Sequence, residues 1–252
     1  MVEALALGAL AASSLIFGAL LGLARPWPER VVGVVLAFGA GALISAVSFD
    51  LAEEGVQLGG GDSVALGLAV GALTYYLADR AVEGLGRPRR NESAAGAASA
   101  AGSASAPTED GGTALALGAF LDGIPEQMVL GIGIAAGDGV SIGLLAAIFV
   151  SNLPEAVGSA TAMRAAGRSR GAIVRLWTVV AVICTIATVV GFGIADAASG
   201  DLQATINGFA AGALLVMLID SMIPEASRQA GKVAGLVTVL GFAVAAGLSS
   251  VG

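Results

Sequence analysis

Two short stretches carry residue types that apolar sequence does not need. FLDGIPEQMVLGIG, residues 120–133, contains Asp122, Pro125 and Glu126. IFVSNLPEAVGS, residues 148–159, contains Asn152, Pro154 and Glu155. Residues three or four apart share a helix face, so Asp122 pairs with Glu126 and Asn152 with Glu155. If the two faces meet, three carboxylates and a carboxamide converge. Carboxylates in a low-dielectric interior must be protonated, paired with a base or bound to a cation. No Lys or Arg lies beside these motifs in either stretch, which leaves protons and metal ions. Each proline also withdraws an N–H from its helix, freeing the carbonyl of Leu121 or Val150. Freed carbonyls at membrane depth are tolerated where they line a cavity, and they are hard-cation ligands. The chemistry expected of the two motifs is therefore cation binding.

The elements that must position them are membrane helices. The chain has 252 residues, 56% hydrophobic and only 12% charged, against about 25% charged in ordinary soluble domains. Its mean hydropathy is +0.89. A formal net charge of −7 offers no basic groove and excludes nucleic acid as a partner. There is no histidine, and the single cysteine, Cys184, reads as packing. A bilayer core takes about 20 apolar residues of helix. That ruler gives eight candidate spans: 4–24, 31–54, 63–85, 113–136, 140–166, 171–195, 202–226 and 231–250. The fold class is all-α, a polytopic membrane protein. The first span lacks a basic leader and is long enough to cross, so it reads as a membrane helix rather than a cleaved signal peptide.

Charge sets the direction. All 12 basic residues lie at the turns following spans 1, 3, 5 and 7, from Arg25 to Lys232, whereas the remaining turns hold Asp62, Asp138 and Asp201. The positive-inside rule makes the basic turns cytoplasmic and puts both termini outside. Residues 87–112 are rich in Ala, Ser and Gly and are predicted to form a flexible cytoplasmic linker. It separates spans 1–3 (residues 1–86) from spans 4–8 (residues 113–252) within one membrane domain.

An inverted repeat is also legible. DGIPEQ and SNLPEA lie on oppositely running spans 4 and 5, and SFDLAEEG and LIDSMIPEA lie on oppositely running spans 2 and 7. Such repeats place substrate sites near the midplane, where interrupted helices meet. At about 1.5 Å per residue, Asp122, Glu126, Asn152 and Glu155 are predicted near the bilayer centre. Asp50, Glu53 and Glu54 are predicted at the outer mouth, as an entrance. Asp220 and Glu225 are predicted toward the inner end, as an exit. Ser45 and Ser48 are expected to bond back to their own helix, Met128 and Met217 to pack, and Gln127 to point away from Glu126.

This layout resembles the ZIP (Zrt/Irt-like protein) family of metal transporters, in its bacterial branch with short loops. Family members typically carry His-Asn-x-Pro-Glu-Gly on helix 4. Here Asp122-Gly123-Ile124-Pro125-Glu126-Gln127 stands in its place, and Ser151-Asn152-Leu153-Pro154-Glu155-Ala156 matches the related helix 5 motif. The resemblance implies that Glu126 and Glu155 are metal carboxylates and that Asn152 is a polar ligand. Asp122 stands where histidine is usual, Gly123 where asparagine is. Asp220-Ser221-Met222-Ile223-Pro224-Glu225 is similar to the helix 7 pattern His-Glu-x-x-Pro-Glu, again without its histidine. The resemblance also implies uptake of divalent cations of the zinc, manganese, iron or cadmium class toward the cytoplasm. Such a chain would be multi-pass in the cell (inner) membrane. Its partners would be the cation as transported substrate and the lipid bilayer, with no permanent cofactor and no enzymatic activity. Gly-rich faces suit a homodimer as well as internal packing. All-oxygen donors favour harder cations, so manganese is expected alongside zinc. Two alternatives remain open: a metal sensor that does not transport, and an intramembrane hydrolase using paired carboxylates.

Overall fold

The computed structural model describes residues 1–86, 109–135 and 142–249. Every regular element among them is helical. They are α1 (Val2–Ala24), α2 (Glu29–Ala46), a π-helical segment (Val47–Glu53), α3 (Glu54–Gly86), α4 (Glu109–Ala135), α5 (Ile142–Ala165), α6 (Arg170–Asp196), α7 (Asp201–Met217), a second π-helical segment (Leu218–Met222), α8 (Ile223–Ala230) and α9 (Val233–Ser249). Each predicted apolar segment is helical over most of its described residues, with turns at Ala166, Gly231 and Lys232. Most of the predicted linker, residues 87–108, lies outside the described residues, and its last four residues already belong to α4.

Local sequence explains the breaks. Pro26 follows Arg25 and disfavours helical geometry there; Arg25 is extended and α1 stops. The Trp27 indole then donates to the Leu21 carbonyl at 3.0 Å, and the Arg25 guanidinium stacks 4.0 Å over its ring. Within α3, Gly60 has φ 84° and ψ 166°. That backbone conformation costs a Cβ-bearing residue dearly and glycine little, so the chain folds back there. Ser169 caps α6, its Oγ accepting from the Ala172 N–H at 3.2 Å.

Stretches Val2–Ala24, Glu29–Ala81, Ile142–Ala165, Arg170–Asp196 and Asp201–Ala230 are long and apolar enough to cross a membrane. The surface agrees with that. Leu66, Leu73, Val182, Ile186, Leu236 and Val239 are exposed, while the interior is rich in small residues such as Ala11, Ala37, Ala40 and Ala211. Large apolar side chains outward and small ones inward is the pattern expected where lipid is the solvent and helices gain by close approach.

The packing has an exchange symmetry. α1 packs on α5 and α6 on α4; α3 packs on α7 and α9 on α2. Exchanging α1 with α6, α2 with α7, α3 with α9 and α4 with α5 maps these pairs onto one another, the packing counterpart of the predicted inverted repeat. Glycines make the contacts reciprocal. A Cβ at Gly131 of α4 would strike the Thr188 carbonyl of α6, and one at Gly191 of α6 would strike the Met128 carbonyl of α4. Gly41 meets Thr238, and Gly241 meets Phe38, in the same way across α2 and α9.

Apolar length predicts helical spans at 31–54 and 202–226 and locates no departure from α-helix in them. Instead each carries a π-helical segment where its acids lie, containing Asp50 and Glu53 in one and Asp220 in the other. Such segments rotate the following turn, open the hydrogen-bond ladder and cluster at functional sites.

Candidate functional site

α4 and α5 meet along their proline-containing faces, and both helices run on through Pro125 and Pro154. Asp122 and Glu126 are buried, as are Ser151 and Asn152 opposite them. Asp122 is held twice. The Tyr75 hydroxyl of α3 donates to its Oδ1, and the Ser221 hydroxyl of the second π segment donates to its Oδ2 at 3.0 Å. Among the described residues Glu126 is held by the Ser151 hydroxyl, 3.2 Å from both carboxylate oxygens. Among the described residues, both polar atoms of the Asn152 carboxamide are buried without a partner, as is Oε2 of Glu155. Asp122, Glu126 and Glu155 are close enough for their charges to interact. Even so, no three Asp, Glu or Cys side chains among the described residues converge closely enough to hold one metal ion.

A cavity of about 810 Å³ reaches this cluster. Asp122, Pro154, Glu155, Asp220, Ser221 and Glu225 are among the residues that line it. Trp27, Glu29, Arg228 and Gln229 line it as well. The predicted exit acids therefore share a cavity with two of the predicted central acids. Glu225 is engaged at the rim, paired with Arg228 at 2.5 Å and accepting from the Gln229 carboxamide. Asp50, Glu53 and Glu54 are not on this cavity; they lie on and after the first π segment. Glu126 and Asn152 sit behind the cavity wall rather than on it.

Several finer expectations resolve. Gln127 does point away from Glu126: it accepts from the Thr188 hydroxyl of α6 at 2.7 Å, leaving Nε2 without a partner. Cys184 packs with Leu15 and Trp177, and Met217 lies in the core. Ser48 bonds back to the Ile44 carbonyl at 2.8 Å. Ser45 does not bond back to its helix; its hydroxyl is buried without a partner among the described residues. Tyr75 and Ser221 were not singled out from the sequence. Ser221 adjoins Asp220 in the helix 7 motif, which was a usable signal. Tyr75, in an apolar stretch 47 residues from Asp122, gave none.

A helical fold with large apolar side chains outward, around buried carboxylates that border a cavity, is that of a multi-pass membrane protein. Residues 86–249 match the family described as ZIP Zinc transporter. The chain belongs to this family. It is also 29% identical over 213 residues to an Arabidopsis thaliana protein named Putative zinc transporter, covering 82% of this chain. It spans only 32% of that relative's length.

Proposed function

We propose that the protein carries divalent metal cations across the membrane, through a midplane site formed by Asp122, Glu126, Asn152 and Glu155. The observation that carries this is the cavity joining Asp122 and Glu155 to Asp220 and Glu225, with a Glu155 oxygen on it and the Asn152 carboxamide behind its wall both unpartnered among the described residues. Acids at both depths give a cation successive binding positions. Orphaned buried oxygens are costly unless something fills their lone pairs, and a cation would do so.

Arg228 lines the cavity, and the positive-inside rule assigns the turn that carries Arg228 to the cytoplasm. The arrangement is then inward-facing, and transport runs toward the cytoplasm across eight spans, with both termini outside. The cell inner membrane fits this topology. Asp50, Glu53 and Glu54 would collect cations at the opposite mouth. A homodimer remains compatible with the exposed glycine positions of α9. Zinc, manganese, iron and cadmium are the candidate cargo, and the all-oxygen donor set favours manganese entering alongside zinc.

The test is flux into proteoliposomes of Zn, Mn, Fe(II), Cd, Mg and Ca side by side, with a Glu126→Ala/Glu155→Ala double variant as control. Flux that vanishes in the variant supports the transporter. Metal binding without flux, in a folded protein, would favour a non-transporting sensor instead. The hydrolase alternative loses its footing in a family of transporters.

A further inference from the structure

We propose that Tyr75 and Ser221 are positioning residues that latch Asp122 in an unloaded arrangement, and that incoming cargo must displace them. This rests on the proposed transport of divalent cations. It begins from who holds Asp122. α4 packs chiefly on α6 and α5, whereas α3 packs chiefly on α7, which continues into the second π segment. Tyr75 and Ser221 therefore reach Asp122 from the other helix group. The two oxygens of one buried carboxylate are tied to two elements that α4 otherwise touches lightly.

The chemistry makes this a competition. A carboxylate offers about four lone-pair positions, and two on Asp122 are occupied by hydroxyl donors. Glu126 is turned to Ser151 at the same time, and no three acids among the described residues converge. Loading a cation requires the acids to swing together, which breaks the Asp122 bonds. Tyr75 is 6% exposed, so water competes little for its bond and the latch holds in the empty protein. Ser221 also lines the cavity, so a cation leaving Asp122 toward the cytoplasm passes it. Its position in a π segment matters, because such segments interconvert with α-helix by moving one residue in the ladder. Opening the latch and rewinding Leu218–Met222 are then one event, which would couple cargo occupancy to relative motion of the two helix groups.

The experiment compares wild type, Tyr75→Phe, Ser221→Ala and Ser221→Thr in nanodiscs. Hydrogen–deuterium exchange of the metal-free proteins is read first. Phe and Ala should speed exchange at Leu218–Met222 and around Asp122 without changing α1, and Thr, which keeps the hydroxyl, should restore the wild-type rate. Zinc uptake in proteoliposomes is read second. Losing one competing hydrogen bond should lower KM about three- to tenfold, with Thr again near wild type. Unchanged exchange, or a KM that rises in Phe and Ala, overturns the latch. Should Tyr75→Phe fold poorly, Ser221→Ala decides alone, since its side chain borders the cavity. If no protein transports zinc but exchange accelerates as stated, the latch stands and the transport assignment fails.

Discussion

Ser151 on α5 stands 3.2 Å from both carboxylate oxygens of Glu126 on α4. The same hydroxyl lies 3.0 Å from the Ile148 carbonyl of its own helix. One proton cannot satisfy three acceptors, so Glu126 is held less firmly than Asp122, which has a separate donor for each oxygen. Glu155 keeps one buried oxygen without any donor. The acids therefore differ in readiness to bind a cation, with Glu155 and Glu126 freer than Asp122.

From that order, Glu126→Ala and Glu155→Ala should each reduce metal uptake by roughly 10–100-fold, the scale at which even indirect supports of a metal site act. Expression and thermal melting should stay near wild type, because each change removes a poorly satisfied buried group. Single-variant flux in proteoliposomes checks this; retained flux in both would remove the carboxylates from the site.

Metal and proton compete for the same carboxylate oxygens, because ligands must be deprotonated to bind. Lowering pH raises proton occupancy, so uptake should fall as pH drops from about 8 to 5. The measurement is initial rate against pH at fixed free zinc. A flat profile across that range would contradict a carboxylate-only ligand set.

If Asp122 is a ligand as proposed, an imidazole in its place would change selectivity. Imidazole suits zinc, while carboxylate is shared with manganese. Asp122→His should therefore raise preference for zinc over manganese, read as the concentration of manganese needed to halve zinc uptake. Equal competition in wild type and variant would place Asp122 away from the bound ion.

Helix contact depends on missing side chains. Gly241→Val would drive a side chain into the Phe38 carbonyl of α2, whereas Gly235 on the same helix has nothing within 4 Å of its Cβ position. Overpacking typically costs about 1–3 kcal/mol, so Gly241→Val should lower the melting temperature clearly and Gly235→Val barely. Melting of the detergent-purified variants compares the two directly.

Much was legible from residue order alone. Apolar length located the helices, because a bilayer imposes its thickness on any span. Paired Pro-Glu motifs marked α4 and α5, because acids and prolines are too costly in hydrocarbon to occur there by chance. Tertiary structure decided the rest. Spacing alone says that Asp122 and Glu126 share a face, but not that Tyr75 and Ser221 would reach Asp122, since hydroxyls on distant helices leave no periodic trace. Nor does composition reveal a π-helical turn: the extra residue per turn at Val47–Glu53 and Leu218–Met222 depends on neighbouring helices. The cavity likewise links Asp220 and Glu225 to Asp122 and Glu155 while leaving Asp50, Glu53 and Glu54 apart. Two halves related by sequence can sit in unequal states, because which mouth is open is a matter of how the helix groups pack, not of which residues they carry.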